Sequence, residues 1–186
     1  MTHLAALVLA GGRSARFGSD KLDVTEHGSP LVRHSIDAAR ALGATVVVVG
    51  TGRDALPADV VVVREDPPFS GPYAAVAAGL AALDDDVETV LVLAGDLVAP
   101  ASLLPRLVDA LAGGAEAAVA VDASGQRQPL LAAYRRVPLV GGVSGVDPTG
   151  RAANELLDGL HVVEVPDETG ATRDIDTPDD LAAEIP

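Results

Sequence analysis

The segment LAGGRSARFGSDK at residues 9–21 holds the densest group of side chains in the sequence that could bind an anion. Its adjacent glycines, Gly11 and Gly12, let the backbone pass close to a ligand and present successive N–H groups to it. Arg13, Arg16 and Lys21 add positive charge, and Lys21 is the only lysine among the 13 Lys and Arg residues. The segment contains neither a P-loop nor a Gly-x-Gly-x-x-Gly motif, so it predicts a phosphate-binding loop of another kind.

Aspartates stand at two further places where they could bind a metal ion. Asp96 in VLAGDLVAP directly follows a strongly apolar run. A carboxylate at the end of a strand can hold a Mg²⁺ that carries nucleotide phosphates, although a turn or a helix cap also uses aspartate. Asp174 and Asp176 in DIDTPDDL alternate in an extended segment, so one can face inward. We expect Asp96 to be a metal ligand, with Asp176 as a second metal contact.

Another loop contains Asp66, in the stretch EDPPFSGPYAAVAAGL at residues 65–80. Two prolines make a rigid bend after Asp66, and Gly71 and Pro72 stand where a helix is predicted to begin. This bend could form the wall of a base or ribose pocket. It could equally be an ordinary connection between a strand and a helix.

Short apolar runs indicate the strands that must position these loops. Runs that are apolar at every position predict strands buried on both faces of a largely parallel sheet. Five such runs occur at residues 5–10, 45–49, 60–63, 89–94 and 117–121. Two weaker runs, at 130–134 and 161–165, predict edge or antiparallel strands.

Segments with apolar residues at helical spacing lie between the runs. Helices are predicted within 32–42, 76–83, 103–111 and 151–158, and another from Thr177, while 140–150 is predicted to be one long irregular loop. This alternation is typical of an α/β fold with a doubly wound, mostly parallel sheet and helices on both faces. In such folds ligands bind beyond the carboxyl ends of strands, so the loops after the first, third and fourth predicted strands, residues 10–21, 64–72 and 95–100, are expected to form the site.

Composition narrows the class of protein. The length of 186 residues is typical of one compact domain, so we expect a single domain over residues 1–186. The absence of cysteine excludes disulfides, thiolate zinc sites and cysteine nucleophiles. A net charge of −14 argues against binding to nucleic acid or to an anionic membrane surface. With no run long enough to span a membrane and no basic leader, we expect a cytoplasmic protein.

Taken together, the motifs resemble those of the molybdenum cofactor guanylyltransferases, the MobA-like branch of the nucleotidyltransferases, which have a Rossmann-like α/β fold. The resemblance runs nearly end to end, through LAGGRSARFGSDK, GSPLVRHSID, EDPPFSGPYAAVAAGL, LAGDL, QPLLAAYR and DIDTPDDL. It implies that nucleotide and metal are bound by Leu9, Ala10, Gly11, Gly12, Lys21, Asp66 and Asp96. It also implies catalytic roles for Arg16, Lys21 and Asp96, with Mg²⁺ on Asp96.

The implied reaction transfers GMP from GTP to the terminal phosphate of molybdopterin and releases pyrophosphate. The resemblance further implies transient contact with molybdenum cofactor biosynthesis proteins or acceptor proteins. Gly11 favours GTP, because relatives that use CTP tend to have LAAG where this chain has LAGG. Phe17, in contrast, is more typical of the cytidylyltransferase branch.

Three alternatives are open at this stage: a related enzyme that uses CTP, one that uses another phosphorylated acceptor, and a nucleotide-binding protein without turnover. The presence of both Lys21 and Asp96 argues against the third, because binding alone does not require them together. We also expect Gln128, Arg135 and Arg136 to lie near the acceptor.

Overall fold

A computed structural model of the chain describes residues 3–10, 25–26, 29–50 and 56–172. The strands in this part of the chain are β1 (Leu4–Ala10), β2 (Thr25–Glu26), β3 (Ser29–Pro30), β4 (Thr45–Gly50), β5 (Val61–Val63), β6 (Thr89–Ala94), β7 (Ala117–Val121), β8 (Arg127–Arg135) and β9 (Val162–Pro166). The α-helices are α1 (Leu31–Ala41), α2 (Pro72–Leu80), α3 (Leu104–Ala110) and α4 (Arg136–Val143). Short 3₁₀ helices occur at Pro100–Ser102, Leu111–Gly113 and Ala153–Leu157.

Seven of these strands form one sheet in the order β5-β4-β1-β6-β8-β7-β9. The first four are parallel, β8 is antiparallel to both of its neighbours, and β7 and β9 pair in parallel. After β1 the chain moves outward to β4 and β5, and it then returns to β6 on the other side of β1. The strand order therefore reverses between β1 and β6, where a doubly wound fold places its ligand.

Helices cover both faces of the sheet. On one face, α1 and α3 bury Ile36 and Leu107, and on the other, α2 and α4 bury Tyr73 and Leu139. Burial on both faces explains why the central strands are apolar at every position. The predicted α/β fold, with a mostly parallel sheet between two layers of helices, is confirmed.

Close packing holds α2 against the sheet at Gly79. A Cβ atom at this position would lie 2.9 Å from side-chain atoms of Leu7 in β1 and Val49 in β4. Only glycine therefore allows the helix to approach so closely without a shift. Because α2 follows the loop that contains Asp66, this packing fixes where that loop joins the helix.

The strand predictions were wrong in one respect. The run at 60–63 was predicted to be buried on both faces, but β5 is an edge strand in which Val61 is 50% exposed and Val62 39% exposed. A run of valines does not reveal whether the strand has one neighbour or two. The run at 130–134 is antiparallel as predicted, within the longer strand β8, and the run at 161–165 forms the opposite edge.

The helix predictions also need correction near the C-terminal half. The segment predicted as an irregular loop at 140–150 begins inside α4, because Leu139 anchors this helix on the sheet despite the glycines that follow it. The predicted helix at 151–158 is a 3₁₀ helix. The helix predicted from Thr177 lies outside the described residues. Among the residues that are described, no helix is long and apolar enough to cross a membrane.

Candidate active site

The carboxyl ends of β1 and β6 lie side by side. The register pairs Leu9 with Ala94, and the N–H of Gly95 donates a hydrogen bond of 3.0 Å to the carbonyl oxygen of Leu9. Ala10, which ends β1 and leads into the predicted phosphate loop, is fully buried. Asp96 thus stands one residue beyond a backbone bond to the strand that precedes this loop. The structure brings the predicted metal ligand next to the start of the predicted phosphate-binding segment.

Helix α1 holds both ends of the turn that contains Asp96. The hydroxyl of the fully buried Ser35 donates to the carbonyl oxygen of Ala94 at 2.8 Å. On the other side of the turn, Nδ1 of His34 lies 2.8 Å from the carbonyl oxygen of Val98, which can only accept a hydrogen bond. The position of Asp96 is therefore coupled to the helix that follows the phosphate loop.

Neither Ser35 nor His34 was identified from the sequence. One signal was present, because Ser35 interrupts the apolar stripe formed by Val32, Ile36 and Ala39. A buried polar side chain needs a hydrogen-bond partner, so a serine in such a stripe indicates a tertiary contact. It does not indicate which carbonyl group is the partner.

Asp66 also lies beyond the carboxyl end of a strand, but this strand is β5, at some distance across the sheet from β6. It follows β5, which is separated from β1 by β4. Asp66 is exposed, whereas its neighbour Glu65 is buried. This placement is compatible with the predicted nucleotide contact, on the side of β1 that faces away from β6 and Asp96.

The hairpin between β7 and β8 contributes polar groups on the other side of Asp96. β8 is antiparallel to β6, with Leu131 paired with Leu93, so Gln128 lies at the edge where β6 ends. Nε2 of Gln128 donates to Oδ2 of Asp122 at 2.7 Å. This bond uses one of the two N–H donors of the amide, so the second N–H and the carbonyl oxygen of Gln128 can serve a ligand.

Asp122 organises the turn of this hairpin. Its Oδ1 accepts hydrogen bonds from the hydroxyl and the N–H of Ser124 and from the N–H of Gln126. Together with the bond from Gln128, these donors lower the pKa of Asp122 to about 2, with the Ser124 hydroxyl as the largest cause. Asp122 is therefore a carboxylate at neutral pH, and it holds Gln128 in one orientation.

The expectation for Arg135 and Arg136 was wrong. Arg135 pairs with Thr89, the first residue of β6, so both arginines lie near the start of this strand, whereas Asp96 lies beyond its end. There Arg136 forms an ion pair of 2.9 Å with Asp85, and both arginines line a cavity of about 650 Å³. The physical reason is that β8 runs antiparallel to β6, so its first residues lie where β6 ends and its last residues lie where β6 begins.

Several predicted site residues lie outside the described residues: Gly11, Gly12, Arg16, Lys21, Asp174 and Asp176. The chain leading to the last two is described as far as Thr172. Ala171 is fully buried in the same apolar cluster as Leu97, and the hydroxyl of Ser102 donates to Oγ1 of Thr169 at 2.9 Å. The chain therefore runs towards the Asp174 and Asp176 segment from beside the Asp96 turn.

Asp96 is the described residue that fits a metal role. Within the described part of the chain, no three His, Asp or Glu side chains cluster in a way that could hold a metal ion. A hard cation such as Mg²⁺ usually keeps several waters and takes one or two carboxylates together with substrate phosphates. A single strand-end carboxylate beside the start of the predicted phosphate loop fits a cation of that kind.

A known protein family matches most of the chain. The family model described as the MobA-like NTP transferase domain matches residues 6–161. The chain belongs to this family. It is therefore a nucleotidyltransferase, as the resemblance of its motifs predicted.

Two relatives share much of the sequence. The probable molybdenum cofactor guanylyltransferase of Chloroflexus aggregans (strain MD-66 / DSM 9485) is 35% identical over 147 residues, which cover 73% of this chain and 67% of the relative. The protein of the same description from Pyrococcus horikoshii is 33% identical over 146 residues, which cover 72% of this chain and 70% of the relative.

The fold is also that of a solved structure. The crystal structure of Rv0371c from Mycobacterium tuberculosis H37Rv matches with a TM-score of 0.77 at 24% identity, over 98% of this chain and 97% of that one. A structure of the same protein in complex with manganese matches with a TM-score of 0.73 at 23% identity, with the same coverage.

Proposed function

We propose that the protein transfers GMP from GTP to the terminal phosphate of molybdopterin, with Mg²⁺, and releases pyrophosphate. The observation that carries this proposal is the backbone bond between Gly95 and Leu9, since it sets the Asp96 turn against the entrance of the predicted phosphate loop. The sequence LAGG at the start of that loop supports GTP as the nucleotide, and so do the relatives described as guanylyltransferases.

Two sets of residues would act on the phosphates: those of the predicted phosphate loop and the aspartates that would hold the metal ion. Backbone N–H groups at Gly11 and Gly12 would bind the phosphates, while Arg16 and Lys21 would neutralise the charge that builds up on the leaving pyrophosphate. Asp96 would hold the Mg²⁺, which supplies further positive charge at the phosphates, and Asp176 would be a second contact to it.

Alignment of two anions is the main task of this site. An oxygen of the molybdopterin phosphate forms a new bond to the α-phosphorus of GTP, and the bond from that phosphorus to the β-phosphate oxygen breaks. The attacking phosphate is already an anion, so no protein general base is needed. Catalysis then depends on orientation and on charge stabilisation.

The acceptor would bind on the side of Asp96 where β8 begins. Gln128, held by Asp122, would offer its carbonyl oxygen there, while Asp66 lies towards β5 and would contact the nucleotide. We also propose that residues 1–186 form one domain, because the sheet from β1 to β9 draws on almost the full length of the described chain.

Pyrophosphate release tests this function directly. Purified protein is incubated with GTP and Mg²⁺, with and without molybdopterin, and both pyrophosphate and the dinucleotide product are measured. We expect pyrophosphate only when molybdopterin is supplied. The absence of turnover under both conditions, together with tight GTP binding, would instead identify a nucleotide-binding protein.

A CTP-dependent enzyme is the second candidate, and Phe17 is the observation that favours it. Competition binding in Mg²⁺ separates the two nucleotides. We expect GTP to compete better than CTP and ATP. A clear preference for CTP would overturn the guanylyl assignment and leave the nucleotidyl transfer intact.

A further inference from the structure

Phe69 has a backbone conformation that is costly for its residue type. Its φ angle is +65°, and among the described residues it is the one non-glycine residue with a positive φ. In this region the Cβ atom crowds the backbone, so a bulky residue seldom adopts it. Burial does not compensate, because Phe69 is 51% exposed. Strain of this kind persists where the surrounding structure enforces it, and it concentrates at functional sites.

Neighbouring groups enforce this conformation. Oε1 of Glu65, a residue only 8% exposed, accepts a hydrogen bond of 2.9 Å from the N–H of Phe69. The next residue, Ser70, donates its hydroxyl to the carbonyl oxygen of Pro67, and its own carbonyl oxygen accepts a 2.7 Å bond from the N–H of Gly150. Hydrogen bonds therefore hold the backbone at Phe69 itself and at the residue that follows it.

A cation supports the ring. The guanidinium carbon of Arg64 lies 5.0 Å from the ring centroid of Phe69, within cation–π range. Arg64 and Glu65 both follow β5 directly, so the strand end determines where the ring is held.

The position of the ring indicates what it contacts. Phe69 lies three residues after Asp66, at the edge of the sheet where β1 and β6 also end. Both substrates of the proposed reaction contain a flat pyrimidinone ring, which is part of guanine in GTP and part of the pterin in molybdopterin. Aromatic side chains stack on such rings without requiring a hydrogen-bond pattern. We propose that Phe69 is a stacking platform for the planar heterocycle of a substrate, an inference that rests on the proposed function.

A tryptophan reporter tests the platform. The chain contains no tryptophan, so Phe69→Trp places a single indole at the proposed contact. Val137 in α4, which is 79% exposed at the opposite edge of the sheet, provides the matched control Val137→Trp. Each variant is titrated with GTP and, separately, with molybdopterin in Mg²⁺. We expect one of the two ligands to quench the indole emission of Phe69→Trp saturably, with no saturable quenching in the control.

Phe69→Leu removes the aromatic ring but keeps the backbone strain, because leucine is apolar and equally unsuited to a positive φ. Calorimetric titration should show binding of the same ligand weakened about fivefold or more, with Phe69→Tyr close to the unmodified protein. An effect on GTP alone assigns the platform to the base, and an effect on molybdopterin alone assigns it to the pterin.

One result would overturn the inference: the absence of quenching by both ligands together with affinities within twofold of normal in Phe69→Leu. Failure of the proposed function has a different signature: the unmodified protein would release no pyrophosphate from GTP and molybdopterin, while a nucleotide still quenched the indole of Phe69→Trp.

Discussion

The hydroxyl of Ser35 donates a hydrogen bond of 2.8 Å to the carbonyl oxygen of Ala94, two residues before Asp96. Ser35 belongs to the helix that follows the predicted phosphate loop, and Ala94 ends the strand that leads to the predicted metal ligand. One buried side chain thus connects the two halves of the candidate site. Any shift of α1 when a nucleotide binds would be passed to the Asp96 turn through this bond.

We expect Ser35→Ala to lower both stability and activity. The substitution leaves the carbonyl of Ala94 without the hydroxyl that it accepts from, which should cost about 1–3 kcal/mol in the free energy of unfolding, measured by urea denaturation. Loosening the Asp96 turn should also lower kcat/KM about tenfold. Ser144→Ala is the control, since the hydroxyl of this exposed serine bonds locally, to the carbonyl oxygen of Val140. A stability loss with normal kcat/KM would make Ser35 purely structural.

Asp96→Ala should abolish turnover and leave the fold intact. The carboxylate is proposed to serve the metal rather than the core, so we expect kcat to fall at least about a hundredfold while the thermal unfolding midpoint stays unchanged. Asp109→Ala, at an exposed position in α3, controls for loss of one negative charge. Asp176→Ala should cost less. An Asp96→Ala protein that melted early but kept its activity per folded molecule would show a structural role.

Lys21→Arg should lower activity although it keeps the charge. In a chain that otherwise uses arginine for its basic residues, a lysine at this position indicates a need for a compact ammonium group. A guanidinium is wider, planar and forked, and it would displace the phosphates in a closed loop. We expect kcat/KM with GTP and molybdopterin to fall at least about tenfold, or roughly 1.4 kcal/mol of transition-state stabilisation. Near-normal kinetics would show that any cation suffices.

Asp122 should titrate far below an ordinary aspartate. Its pKa of about 2 lies below the usual 3.8, so the hydrogen bonds at this carboxylate stabilise the folded state above about pH 4. That stabilisation is lost as the pH falls from about 4 through 2. Carbon NMR of the Asp122 carboxyl should give a midpoint near pH 2, and Ser124→Ala should move it upwards by removing the largest cause. An ordinary midpoint in the unmodified protein would contradict the hydrogen-bond network.

Much of the sheet could be predicted because its central strands are buried on both faces. A run such as TVLVLA at 89–94 is apolar after its first residue, and a strand between two layers of helices is where that pattern is typical. The placement of Asp96 beyond this strand followed from the same reasoning. The edge position of β5 did not follow, because Val61 and Val62 resemble buried residues in sequence, and their exposure reflects that β5 has one neighbouring strand in the described sheet.

The contacts that hold the site were less accessible to prediction. Ser35 and His34 bond to carbonyl groups about sixty residues away along the chain, and no local pattern encodes the partner of such a bond. The location of Arg135 and Arg136 depended on the direction of β8, which short apolar runs do not specify. Phe69 was visible as part of a Pro-rich bend, but its positive φ depends on Glu65 and on the packing around it.

The β7–β8 hairpin also bears on the order in which the molecule assembles. Its two strands are joined by a short turn, residues 122–126, whereas β1 and β6 pair only after the chain between them has been brought into place. Closing a short loop costs less entropy than closing a long one, so the hairpin can pair early. Gln128 and Asp122 would then be in place before the β1–β6 junction closes, so the part of the site that we propose for the acceptor would form before the part that we propose for the nucleotide phosphates.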